Sequence, residues 1–198
     1  MRRKTRIGPS WLMGLLIPLA LLLAACGGQT SGGSGGGGGG SGAGTTWTLR
    51  TSGTSNWLFG VTYGNGTFVA VGNGGTILTS SNGTAWTAQT SGTSNNLRRV
   101  TYGNGTFVAV GWDGTILTSS NGTAWTAQTS GTSNNLIGVT YGNGLFVAVG
   151  NGGTILTSSN GTAWTAQTSG TSNNLIGVTY GNGLFVAVGQ SGIILTSP

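Results

Sequence analysis

Residues 125–163 read WTAQTSGTSNNLIGVTYGNGLFVAVGNGGTILTSSNGTA, and this unit decides the fold because it recurs: Trp47, Trp86, Trp125 and Trp164 stand 39 residues apart. The copy that begins at Trp86 differs from it at five of 39 positions, Arg98, Arg99, Thr106, Trp112 and Asp113. Copies this similar call for one structural solution, and a period of about 40 residues denotes a solenoid, a propeller or an array. Inside the unit, LIGVTY, LFVAVG, TILTS and AWTAQ are rich in β-formers and are parted by YGNG, GNGG and SSNG. Asn-Gly and Gly-Gly between such runs read as hairpins. Four short antiparallel strands per repeat make a propeller blade. The apolar runs are nearly continuous rather than alternating, as expected of sheets covered on both faces by neighbouring blades.

The sequence therefore predicts an all-β domain in which four 39-residue repeats form a small four-bladed β-propeller. Its blades are Leu58–Gln89, Leu97–Gln128, Leu136–Gln167, and Leu175–Ser197 joined by Thr45–Thr51. In this scheme the N-terminal strand supplies the last blade's fourth strand and closes the ring, which leaves no sheet edge. A β-trefoil wants three copies rather than four, and a flat array would leave its terminal strands exposed. A monomeric ring and a ring assembled from two chains both satisfy the pattern, so monomer and homodimer stay open.

Ahead of the repeats lie a basic stretch (Met1–Arg6), an apolar stretch (Trp11–Leu23) and small residues before Cys26. This is the layout of a secretory signal peptide, and the apolar run falls short of the about 20 residues that span a bilayer. Leu23-Ala24-Ala25-Cys26 resembles the bacterial lipobox. The resemblance implies lipidation of Cys26 and cleavage before it, and hence a membrane partner reached through two or three acyl chains. Gly27 after the anchor, by resemblance to lipoprotein sorting, implies the outer membrane in a two-membrane envelope. In a single-membrane organism the anchor sits on the outer face of the plasma membrane. Residues 27–44, GGQTSGGSGGGGGGSGAG, cannot bury a core and read as a flexible tether spanning about 20 to 25 Å. The expected organisation is thus signal peptide 1–25, lipidated Cys26 with linker 26–44, and repeat domain 45–198.

The formal charge of +6 invites a nucleic-acid reading, but Arg2, Arg3, Lys4 and Arg6 belong to the signal. The domain keeps Arg50, Arg98 and Arg99 against Asp113, so three positive and one negative charge leave +2, and a nucleic-acid partner is excluded.

Thr79-Ser80-Ser81-Asn82-Gly83-Thr84-Ala85-Trp86, with its equivalents ending at Trp125 and Trp164, resembles the Asp-box (BNR) hairpin of sialidase-like propellers. It carries Asn where that family has an acid, and one residue fewer between Asn and Gly. The resemblance implies a structural turn away from any active site, in which Ser80, Asn82 and a buried Trp86 brace the hairpin, as do Trp125 and Trp164.

Catalysis needs groups that titrate, coordinate or attack, and past the signal the chain has no His, Glu, Lys or Met and a single acid, Asp113. Paired-carboxylate chemistry is out of reach, no catalytic residue is assigned, and neither a metal site nor a cofactor is expected. The four tyrosines, Tyr63, Tyr102, Tyr141 and Tyr180, recur identically and read as packing. Binding remains, and the informative positions are those where copies differ. Copy one has Trp57 where the others have Asn; copy two has Arg98-Arg99 and Trp112-Asp113. The loop leading into a blade's first strand and the loop joining its second and third strands open on one face. Trp57, Arg98, Trp112 and Asp113 are therefore expected together on blades one and two, able to stack and hydrogen-bond a glycan or protein ligand. A plain rim ion pair between Asp113 and Arg98 or Arg99 is the competing expectation. The repeated Asn95, Asn96, Asn134, Asn135, Asn173 and Asn174 supply equivalent polar positions. The expected function is a non-enzymatic surface binding module; a structural lipoprotein resembling propeller-type assembly factors is the alternative.

Overall fold

The structure is a computed structural model that describes residues 44–198. Trp47–Pro198 forms one compact unit that carries every strand among the described residues. Cys26, the signal and most of the linker lie outside the described residues.

Each repeat folds into its own antiparallel sheet. The first comprises β1 (Leu58–Gly64), β2 (Thr67–Gly72), β3 (Ile77–Ser80) and β4 (Thr87–Gln89), hydrogen-bonded in that order. The second is β5 (Leu97–Gly103), β6 (Thr106–Gly111), β7 (Ile116–Ser119) and β8 (Thr126–Gln128). The third is β9 (Leu136–Gly142), β10 (Leu145–Gly150), β11 (Ile155–Ser158) and β12 (Thr165–Gln167). The fourth has three strands, β13 (Leu175–Gly181), β14 (Leu184–Gly189) and β15 (Ile194–Ser197).

Local chemistry fixes each blade. Between β1 and β2 the two loop residues Asn65 and Gly66 have φ of 46° and 73°, the doubly left-handed pair of a type I′ turn. That turn sets the register Tyr63↔Phe68 and Val61↔Ala70. Strand β2 then turns one apolar face to the second blade. Val69 and Val71, with Ile77, pack on Leu97, Val100 and Phe107 of the second blade, and the same pattern recurs at the next two junctions. Each such side chain contributes roughly 1.5 to 3 kcal/mol on full burial. The core is thus a stack of inter-blade layers, and the inner strands neighbour one another in the order β1, β5, β9, β13.

The blade boundaries are those expected from sequence, with one difference at the N-terminus. Residues 45–51 lie outside the strands, and β15 is the outer strand of the fourth sheet. Trp47 is 87% exposed and Leu49 97%. The physical reason is placement: the segment leads directly into blade one, whose inner strand has β5, and not β13, as its close neighbour.

Candidate binding face

The loops expected to share a face are tied together by hydrogen bonds. Within each blade, the turn after the second strand donates to the loop that leads into the first: Asn73 N to Trp57 O at 2.9 Å, Trp112 N to Asn96 O at 3.0 Å, and Asn151 N to Asn135 O at 2.9 Å. Between blades, the same turn donates to the next blade's asparagine: Gly74 N to Asn96 Oδ1 at 2.8 Å, Asp113 N to Asn135 Oδ1 at 3.0 Å, and Gly152 N to Asn174 Oδ1 at 2.9 Å. Alternating links of these two kinds make one continuous ladder from Trp57 to Asn174.

The asparagines belong to that ladder. Asn95 and Asn134 donate through Nδ2 to Thr115 and Thr154 Oγ1, both at 2.9 Å, as Asn56 does to Thr76 at 2.8 Å. Asn96, Asn135 and Asn174 accept the inter-blade bonds. In blade four the position equivalent to Thr115 and Thr154 is Ile193, and the Asn173 backbone N–H donates to Thr171 Oγ1 at 3.1 Å. These side chains hold loops in place, so the face is rigid where its sequence looks most adaptable.

Trp57 and Trp112 stand exposed on this ladder, separated by Asn73, Gly74 and Asn96. The Trp57 ring meets Phe59 edge-on, centroids 6.4 Å apart at 78°. Arg98 lies over the Phe59 ring, its Cζ 4.2 Å from the centroid, and Arg99 donates from Nη1 to Phe59 O at 2.5 Å. Both arginines are thus directed to Phe59 and not to Asp113. Cation and ring attract through the ring quadrupole, a contact of about 0.5 to 1 kcal/mol at exposed sites. Asp113 occupies a left-handed position, φ 52°, where blades one and three have glycine. Phe59 is the residue that sequence reading missed, and its signal was present: copies three and four have Ile137 and Ile176 there.

The hairpin between the third and fourth strands is self-braced. Ser119 Oγ accepts from Gly122 N at 2.8 Å, Asn121 Oδ1 accepts from Thr123 N at 2.9 Å and Ala124 N at 3.0 Å, and Trp125 Nε1 donates to Gly122 O at 2.8 Å. Ser80, Asn82 and Trp86 repeat this arrangement, as do Ser158, Asn160 and Trp164. Trp86, Trp125 and Trp164 are half-buried rather than buried; Trp125 and Trp164 pack against the inter-blade layers rather than within them. Among the described residues no group of three or more His, Cys, Asp or Glu side chains gathers to hold a metal ion.

Four stacked antiparallel blades with a ladder of loops along one face define a β-propeller domain. The chain belongs to the family described as the DUF6242 beta propeller domain, whose model matches residues 60–175. Among curated proteins none matches it. Of solved structures, the computationally designed Ika4 protein is similar with a TM-score of 0.63 at 14% identity, over 77% of this chain and 98% of that one. YCF48 from Cyanidioschyzon merolae superposes with a TM-score of 0.60 at 18% identity, over 76% of this chain and 55% of that one. YCF48 bound to D1 peptide gives 0.61 at 21%, over 79% and 54%. At these identities the likeness is one of fold, and this chain spans about half the length of the YCF48 chains.

Proposed function

We propose that this protein is a non-enzymatic, lipid-anchored surface module that binds a protein segment on the face carrying Trp57, Arg98, Trp112 and Asp113. The observation that carries the reading is the pair of exposed indoles held on a rigid hydrogen-bonded ladder, at positions where the sibling repeats have asparagine or, at Gln190, glutamine. Exposed aromatics on a preorganised scaffold offer contact area at low entropic cost, and Arg98 and Asp113 flank them with opposite charges. The fold is one on which a peptide is bound in YCF48. A glycan is the second reading, favoured by the adjacency of Trp112 to Asp113 on an otherwise neutral, asparagine-rich surface. The Ser-Asn-Gly-Trp hairpins serve as scaffold, and Cys26 carries the anchor on the outer membrane or on the outer face of the plasma membrane.

The test is a screen of the mature chain against peptide and glycan arrays, followed by Trp112→Ala. The expected result is a several-fold loss of affinity with the melting temperature unchanged, since an exposed indole contributes little to stability. Equal binding by wild type and the Trp57→Ala, Trp112→Ala double variant would place the site elsewhere. Failure to retain anything on either array would favour the assembly-factor alternative.

A further inference from the structure

We propose that two copies of this chain join head to tail, blade one of each packing on blade four of the other, with Trp47–Arg50 of each completing the other's fourth sheet. Four blades from each copy then close a single ring of eight.

The internal junctions define what such an interface needs. At each of them a tyrosine ring rests on a glycine of the preceding blade: a Cβ on Gly64 would stand 2.1 Å from the Tyr102 ring, and one on Gly103 2.1 Å from Tyr141. Gly142 repeats this with Tyr180, at 2.2 Å. Gly181 is the next glycine in the series, and nothing lies within 4 Å of its Cβ position. The matching ring is Tyr63, which is exposed on blade one. The apolar faces tell the same story. Val61 is 64% exposed where its equivalent Val100 is 7%, and Ile194 is 65% exposed where Ile116 is 1%. Blade one's outward face is open along β1, at Val61 and Tyr63, while Ala70 and Leu78 on the same face are buried. The open parts of the two end faces match the two halves of an interface that this chain forms internally three times.

The fourth sheet adds an independent sign. Trp125 and Trp164, which lead into the outer strands of blades two and three, pack against the layers joining those blades to the ones before them. At the corresponding place between blades three and four there is instead a cleft of about 510 Å³ lined by Val147, Ile155, Phe185 and Leu195. Trp47 belongs to the same series, one repeat before Trp86. Transposing the pairs Thr79↔Thr87, Leu78↔Ala88 and Ile77↔Gln89 sets Thr48 opposite Thr196, Leu49 opposite Leu195 and Arg50 opposite Ile194.

The linker decides which copy supplies the strand. Ser52, Thr54 and Asn56 make the same local hydrogen bonds as Ser91, Thr93 and Asn95 at the junction of blades one and two. That conformation carries the chain from the outer edge of one blade to the inner edge of the next. It aims residues 47–50 at a blade preceding blade one, a place that blade four of the same chain does not occupy. A second copy's blade four fits it. Two copies suffice because each presents the other with both halves of the interface, blade one's Tyr63 and blade four's Gly181.

Native mass spectrometry of the full mature chain at micromolar concentration tests this, with Gly181→Leu as the discriminating variant. Space is open at Gly181 and its φ lies outside the left-handed region, so one copy accepts the side chain, but Tyr63 of a second copy cannot then seat. The expected result is twice the chain mass for wild type and the single-chain mass for Gly181→Leu, with the circular dichroism spectrum retained. Mixing Thr48→Cys chains with Thr196→Cys chains under oxidant should join the two introduced sulfurs across chains. A single-chain mass for wild type, an open-ended series of masses, or a doubled mass unchanged by Gly181→Leu overturns the proposal. So does a Thr48→Cys, Thr196→Cys double variant that links only within one chain.

Discussion

Asparagine does two different jobs in this chain, and the groups around each side chain tell them apart. The Oδ1 of Asn121 is met by donors from every side: Thr123 N–H, Ala124 N–H and the Ser119 hydroxyl at 3.1 Å. An aspartate would accept the same three bonds with added charge assistance. Asn121→Asp should therefore hold or raise stability in urea unfolding, whereas Asn121→Ala should lose about 1 to 2 kcal/mol by leaving the two amides unmatched. An aspartate variant as damaged as the alanine one would show that the amide nitrogen carries a bond of its own. This hairpin was legible in the sequence because all its partners lie within three residues of one another. Asn95 and Asn96 were not: their partners, Thr115 and Gly74, lie 20 and 22 residues away, one of them in the preceding blade. A polar residue in a loop reads the same whether it meets water, ligand or a distant backbone amide. Comparison among the copies could not resolve this, since the repeat duplicates donor and acceptor together.

A blade's strands were legible because each hairpin is closed by local chemistry, as the paired positive φ values of Asn104 and Gly105, 47° and 74°, illustrate. The packing between blades was less so. Gly64, Gly103 and Gly142 end their strands just before an Asn-Gly turn, and read as part of the turn signal. In the structure they are contact points, kept bare so that the next blade's tyrosine can approach the backbone. Gly103→Ala therefore places a methyl group inside the Tyr141 ring and should cost about 3 kcal/mol, the upper end of ordinary overpacking. Thermal unfolding measures it. Gly66→Ala, at a position with open space around it but φ of 73°, serves as the comparison: its cost is backbone strain of about 1 to 2 kcal/mol without a clash. If Gly103→Ala melts no lower than Gly66→Ala, the tyrosine is not seated as described.

At the scale of the whole molecule the repeat count was legible, while the fate of the terminal strand was not. One repeat specifies how a blade packs on the next, but ring closure depends on the angle accumulated over all junctions, which no single repeat reveals. The basic residues Arg2, Arg3, Lys4 and Arg6 all precede the expected cleavage point, and the domain retains Arg50, Arg98 and Arg99 against Asp113. A polybasic surface contributes about 1 kcal/mol per basic residue near anionic lipid, and is lost when salt shortens the screening length to about 3 Å at 1 M. Three arginines against one aspartate leave electrostatic attachment to a bilayer little to draw on. Acyl chains on Cys26 would instead hold the protein through buried methylenes at about 0.8 kcal/mol each, a contribution indifferent to salt. Washing membranes in 1 M salt, the strength at which that screening applies, should leave the protein in the pellet, and detergent should release it. Cys26→Ser should shift it to the soluble fraction or leave an unprocessed precursor of higher mass. Release by salt alone, or a Cys26→Ser chain with unchanged mass and unchanged pellet fraction, would rule out the lipid anchor and turn attention to the exposed apolar ends of the domain as the membrane contact.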